Sequence, residues 1–155
     1  MKIAIGADEK TDLTDFVVSY VANLRHKPRL FGALACKNET WSKTARFVAE
    51  DINAGKAQEG ILLCWTGTGV CLVANKVPTI RAVLCVDSET ARGARLWNKA
   101  NVLCLSLRKT TDAVAKEVLD MWFKTKYVSN TEDNKAIEEI RQIEKKYMAF
   151  DRAQK

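Results

Sequence analysis

A single histidine, two prolines and no apolar run near the roughly 20 residues of a bilayer span set the first limits on this sequence. With His26 alone, a Ser-His-Asp or Cys-His arrangement exists only if that residue takes part. Its position after the first helical pattern, far from every cysteine, reads as a solvated helix end. No paired metal-ligand spacing is present, so neither a metal nor a cofactor is expected. Cysteine pairing is missing too. Cys36, Cys64, Cys71, Cys85 and Cys104 are odd in number and form no C-x-x-C, and most lie in apolar runs where a thiol behaves as a small hydrophobe. That is the usage of a reduced, cytoplasmic protein. The N-terminus passes from Met1 straight into a strand-like Lys2-Ile3-Ala4-Ile5-Gly6, without the pattern of a secretory signal, and no membrane contact is expected.

What is present is an ordinary globular composition. The 155 residues are 47% apolar and 28% charged, enough to build one domain over residues 1–155 with a full core and far from a disordered or low-complexity chain. The formal charge is +6, from 25 Lys and Arg against 19 Asp and Glu. These cations are spread along the chain and alternate with acids, as on a solvated surface, so no nucleic-acid partner is expected; the same charge helps draw in a small anionic substrate.

Short apolar runs alternate with amphipathic stretches, the signature of βαβ units. Strands are expected at Lys2–Gly6, Arg29–Leu34, Gly60–Cys64, Ile80–Cys85 and Ala100–Leu105. Helices are expected to start at Thr11 or Asp12, at Ser42, at Ser88-Glu89-Thr90 and at Thr111-Asp112, the second closing near Gly55. The fold class is therefore α/β: a Rossmann-like three-layer sandwich with a five-stranded, mostly parallel sheet and a C-terminal helix. That last helix, about residues 131–148, carries Ile137, Ile140, Ile143 and Tyr147 as one narrow stripe that suits either its own domain or a second subunit.

The most informative stretch is Gly60-Ile-Leu-Leu-Cys64-Trp65-Thr66-Gly67-Thr68-Gly69-Val70, a buried strand ending in a Thr/Gly loop that opens a helix. In open α/β sheets, ligands sit beyond the carboxyl ends of the strands, where Cys64 falls. The N–H groups of such a loop favour a phosphate or a developing enediolate oxygen, and a thiol beside them suits a base or nucleophile. A structural turn with a buried cysteine remains the plain alternative. A P-loop is absent, and a dinucleotide fingerprint is only half present: Gly67 and Gly69 precede Asp87, but Leu72 stands at the third glycine position. Asp8-Glu9 after the first strand, Asn98 and Asn101 before the fifth and Arg108 after it are expected to converge on the same crevice, a set suited to a sugar phosphate.

Several blocks in order carry a family resemblance: Lys2-Ile-Ala-Ile-Gly6-Ala-Asp8; Gly60-Ile-Leu-Leu-Cys64-x-Thr66-Gly67-Thr68-Gly69; Ala74-Asn75-Lys76-Val77-Pro78-x-Ile80-Arg81-Ala82; Ala91-Arg92; and Asn98-x-Ala100-Asn101-Val102. From Met1 to about Tyr127 the chain resembles the ribose-5-phosphate isomerase B and galactose-6-phosphate isomerase subunit family, as a divergent member. The resemblance implies a cofactor-free aldose–ketose isomerase, a cytoplasmic homodimer or homotetramer whose active sites form between two subunits. It assigns Cys64 as the base that forms a cis-enediolate and Trp65, Thr66, Gly67, Thr68 and Gly69 as the loop that holds it. Asp8 and Asn98 take substrate hydroxyls, and Arg108 takes the phosphate.

Departures from the family pattern accompany these matches. The family's Asp-His pair reads Asp8-Glu9, which makes Glu9 the candidate replacement acid. Its ring-opening histidine is Trp97, its glycine after the cysteine is Trp65, and its Asp-Tyr-Pro stretch is Glu39-Thr40-Trp41-Ser42. Thr131 and Lys135 stand at its two C-terminal phosphate-binding arginines, leaving Lys135 as the remaining cation. One lysine lacks the bidentate geometry of an arginine fork, and loss of an imidazole acid removes a contribution of typically 10²–10⁴-fold, so either another group opens the ring or the substrate is open-chain. Ribose 5-phosphate is not the first choice, and a phosphorylated tetrose, pentose or hexose or a less charged sugar is expected. Trp41, Trp65 and Trp97 are expected near one crevice, stacking on a sugar face or filling space. The expected function is isomerisation of a sugar or sugar phosphate. A catalytically silent ligand-binding subunit and a nucleotide-binding module are the rivals.

Overall fold

The computed structural model describes the backbone of residues 1–153 and the side chains of residues 1–147. In chain order the elements are β1 (Lys2–Ala7), α1 (Asp12–Asn23), β2 (Lys27–Gly32), α2 (Trp41–Asn53), β3 (Glu59–Cys64), α3 (Thr68–Ala74), β4 (Ala82–Leu84), α4 (Ser88–Trp97), β5 (Val102–Ser106), α5 (Asp112–Lys124) and α6 (Thr131–Ala153). All strand pairings are parallel, in the order β2-β1-β3-β5-β4. The chain leaves β1 for β2 on one side and returns to lay β3 on the other. The crevice at the carboxyl ends of β1 and β3 is therefore the topological switch point, where open α/β sheets bind ligands.

Alternation along the strands builds two cores. Ile3, Ile5, Ile61, Leu63, Leu103 and Leu105 face α1, α4 and α5. Ala4, Leu62, Cys64, Val102 and Cys104 face α2 and α3. The near-continuous apolar strands of the sequence are what a parallel sheet covered on both faces requires. Hydroxyl and carboxylate caps start the helices: Thr11, Thr40, Asp87 and Thr111 each accept an amide hydrogen bond from the first turn of α1, α2, α4 and α5. α2 thus begins one residue before Ser42, on Thr40.

Two strands differ from expectation for physical reasons. β2 spans Lys27–Gly32 rather than Arg29–Leu34, and it includes Pro28; it is an edge strand, bonded to β1 alone, where a missing N–H is tolerated. β4 is shorter than Ile80–Cys85. The side-chain amide of Asn75 donates to the Ala82 carbonyl (2.8 Å) and accepts from its N–H (2.8 Å), standing in for a neighbouring strand on that free edge.

The stripe of α6 is divided. Ile137 is buried on its own chain, and the Glu144 carboxylate accepts the Thr79 amide (3.0 Å), while Ile140, Ile143 and Tyr147 stay exposed. His26 is not a solvated helix end: it is half-buried, with its ring 4.5 Å from that of Phe123. Among the described residues, no helix is long and apolar enough to cross a membrane.

Candidate active site

β3 ends at Cys64, and the chain turns at once into α3. The turn depends on Gly67, whose φ is +75°; a Cβ there would lie 2.9 Å from the Leu105 carbonyl oxygen and 2.5 Å from Leu84 Cδ1. β5 pins the loop from the other side. The Cys64 carbonyl accepts from the Gly67 and Leu107 amides (3.2 and 3.0 Å), and the Trp65 carbonyl accepts from Ser106 Oγ (2.9 Å) and the Arg108 amide (3.2 Å). α3 differs from its capped neighbours, because no side chain caps it. By helix geometry the amides of Thr68, Gly69 and Val70 have no acceptor within the helix.

A cavity of about 320 Å³ opens here, lined by Asp8, Trp41, Cys64, Trp65, Thr66, Thr68 and Gly69. Cys64 is 5% exposed yet forms part of this wall. Thr66 and Thr68 share a hydroxyl hydrogen bond of 2.7 Å. Asp8 Oδ1 is buried without a hydrogen-bond partner, an acceptor left open on the same wall. Trp41 lies directly on Gly69, where a Cβ would sit 3.0 Å from the indole Cζ3. A small cavity with a thiol, two hydroxyls, a carboxylate and free amides suits a short polyol whose oxygens become charged.

The chain therefore brings Asp8, Cys64, Trp65, Thr66, Thr68 and Gly69 together on the frame of Gly67. Arg108 is rooted at the same rim through its amide, with an exposed side chain; Glu9 is exposed beside Asp8. The remaining candidates are elsewhere. Trp97 and Asn98 end α4, which runs back to the amino ends of the strands, roughly 13 Å of strand from Cys64. Trp97 packs on Gly93 and lines a separate recess with Val128, Asn130 and Asp133, and Lys135 is exposed on α6. The expected convergence of three tryptophans is thus corrected to two within one chain, because a residue preceding a parallel strand sits at the edge opposite the ligand crevice. Asn101 is structural, bridging the Arg81 amide and the Thr79 carbonyl.

Trp41 joins the site from the first turn of α2, at the crevice where it is expected. One residue behaves differently from its sequence appearance. Cys71 is more than a small hydrophobe: its sulfur lies 3.3 Å from the Ala82 carbonyl, and a hydrogen bond from the Cys104 thiol pulls its pKa down to about 7 against the opposing effect of burial. It is not part of the Cys64 wall. Among the described residues, no group of three or more His, Cys, Asp or Glu is placed to hold a metal.

The profile of the ribose/galactose isomerase family matches residues 3–140. This chain belongs to that family. Within it, the chain is 36% identical over 135 residues to the D-erythrulose-4-phosphate isomerase of Pectobacterium atrosepticum, covering 82% of this chain and 85% of the relative. The solved ribose-5-phosphate isomerase B of Clostridium thermocellum is similar at a TM-score of 0.88 and 33% identity, over 95% of this chain and 99% of that one. The Mycoplasma genitalium ribose-5-phosphate isomerase B, solved with bound ribulose-5-phosphate, is similar at a TM-score of 0.82 and 30% identity, over 93% of this chain and 96% of that one. As a member of the ribose/galactose isomerase family, the protein is of the sugar-phosphate isomerase class. The nucleotide-binding alternative loses its acidic residue, because Asp87 caps α4 by accepting the Thr90 amide at 2.7 Å.

Proposed function

We propose that this protein interconverts an aldose phosphate and a ketose phosphate through a cis-enediolate, with Cys64 as the base, and that its substrate is a four-carbon sugar 4-phosphate such as D-erythrulose 4-phosphate. The observation that carries the chemistry is Cys64 lining a cavity whose other polar groups, the unpartnered Asp8 Oδ1 and the Thr66–Thr68 hydroxyls, face the same space. As a thiolate, Cys64 takes the proton from the carbon beside the carbonyl. The bonding pair becomes the carbon–carbon double bond, and the carbonyl oxygen takes the negative charge. The amides of Thr68, Gly69 and Val70 stabilise that oxygen, and the Thr66 hydroxyl carries a proton from one oxygen to the other. Cys64 then returns its proton to the adjacent carbon, so the sum is an isomerisation with no cofactor. Asp8 holds a substrate hydroxyl and Arg108 the phosphate, while Glu9, exposed beside Asp8, has no ring to open on this substrate.

The choice of a tetrose rests on Trp97 and on the Pectobacterium relative. A tetrose 4-phosphate has no free 4-hydroxyl with which to close a ring, so it needs no ring-opening acid at the position of the indole. Asn98, Trp97 and Lys135 reach a Cys64 cavity only from a second copy, so the working unit is a homodimer or a higher homo-oligomer. Incubation with D-erythrulose 4-phosphate, followed by NMR for D-erythrose 4-phosphate, tests the assignment. Interconversion is expected, with ribose 5-phosphate, which must open its ring, used about 10²-fold less efficiently. Turnover of neither sugar would overturn the enzyme assignment and leave a ligand-binding subunit.

A further inference from the structure

Two indoles stand at the mouth of the Cys64 cavity, and each is held there by its backbone rather than by packing of the ring in the core. Trp65 follows Cys64 directly. Its carbonyl is fixed by Ser106 Oγ and the Arg108 amide, while its side chain is 63% exposed. Trp41 is set by the Thr40 cap at the start of α2, lies on the face of Gly69 and is 42% exposed. Partly exposed tryptophans on one small cavity are apolar surface kept at a ligand's disposal, and an indole is rigid, with two rotatable bonds. The fixed Trp65 main chain also bonds to that of Arg108, so the cation that meets the phosphate is rooted one hydrogen bond away from the residue beside the base.

We infer that Trp65, with Trp41 as the facing wall, sets the length of the substrate: the indole fills the space into which a fifth carbon would extend between the reacting carbon at Cys64 and the anion held at Arg108. This rests on the proposed sugar-phosphate substrate and adds the residue that measures it. A four-carbon chain reaches the anion position past the indole, whereas a five-carbon chain carries one more CHOH group into Trp65. Pockets that reject one extra carbon by filling its space discriminate by roughly 10–200-fold.

Binding tests this without requiring turnover. D-Glycerate 3-phosphate and D-erythronate 4-phosphate place a carboxylate where the enediolate of a four-carbon and of a five-carbon sugar phosphate forms, respectively, and differ by one carbon. Titration calorimetry with both, on the wild-type protein, Trp65→Gly and Trp65→Phe, reads the length preference. The wild type is expected to bind the three-carbon acid at least about tenfold tighter, Trp65→Gly to lose or reverse that ratio, and Trp65→Phe to keep part of it. A ratio unmoved in Trp65→Gly, a parallel loss for both acids, or binding of neither acid by the wild type would overturn the inference. Isomerase assays on the same samples judge the proposed activity separately. A wild type that binds with the length preference but turns over no sugar would sink the activity and keep the slot.

Discussion

Asp8 presents an energetic problem that a substrate would solve. A buried acceptor without a donor costs about 1–3 kcal/mol, and Asp8 Oδ1 is in that condition on the cavity wall. Removing it should help the fold and hurt the function, the usual trade at a binding site. Asp8→Ala is expected to melt at the same temperature as the wild type or a few degrees higher, about 1 kcal/mol of stabilisation at most, while kcat/KM falls by about two orders of magnitude. Thermal melts and steady-state kinetics on one preparation check both halves. His26 makes a pH prediction. Burial, and then the N-terminal ammonium whose nitrogen lies 3.4 Å from Nδ1, hold its pKa below the ordinary value, so the folded state favours the neutral ring. Its contribution is intact above the unfolded pKa of about 6.5 and is lost as pH falls from there through the lower folded pKa. His26→Gln is therefore expected to lose less stability between pH 7.5 and 5.5 than the wild type, measured by urea denaturation. Equal losses would contradict it. His26 shows how far one residue type is legible: its isolation excluded a triad, but a ring packed on Phe123 depends on a contact between α5 and the loop after α1 that no local pattern encodes.

At the scale of elements, the loop after β3 and the ion network beneath β3 make opposite demands. Gly67→Ala forces a side chain into a left-handed backbone conformation and against the Leu105 carbonyl, which is expected to cost about 1–3 kcal/mol and to abolish activity by displacing the loop. The other end of β3 is held by Glu59, which accepts from Arg95 at 2.6 Å and from the buried Trp122 Nε1 at 2.8 Å. Glu59→Ala leaves a nearly buried guanidinium uncompensated and is expected to cost about 3–5 kcal/mol in chemical denaturation; a loss below about 1 kcal/mol would contradict that account. The caps of α1 and α5 and the strands β1, β3 and β5 were legible, to within about two residues, because caps and buried parallel strands leave local signals, whereas α2 and α4 are capped by Thr40 and Asp87 rather than by Ser42 and Ser88. The ends of β2 and β4 were not legible, since they depend on which strands lie at the sheet's edges and on Asn75 bonding across to Ala82.

At the scale of the whole molecule, one chain assembles most of the candidate site, and Trp97, Asn98 and Lys135 lie apart from it. The loop from Cys64 to Gly69 and Asp8 fall at the carboxyl ends of neighbouring strands, as the strand pattern and the switch point require. Trp97, Asn98 and Lys135 precede a strand or follow the last one, so they serve the cavity only if a second copy delivers them. Mixing subunits tests that arrangement: Cys64→Ala protein and Asn98→Ala/Lys135→Ala protein, refolded together in equal amounts, form hybrids with one unaltered site. Activity is expected to return to about a quarter of the wild type, and no gain over the separate samples would exclude shared sites. The central claim is the base itself. The most direct measurement is NMR of D-erythrulose 4-phosphate incubated with the protein in deuterated water. Stereospecific deuterium at C1 with the wild type, and none with folded Cys64→Ala, is the predicted result; exchange that persists in Cys64→Ala would contradict it.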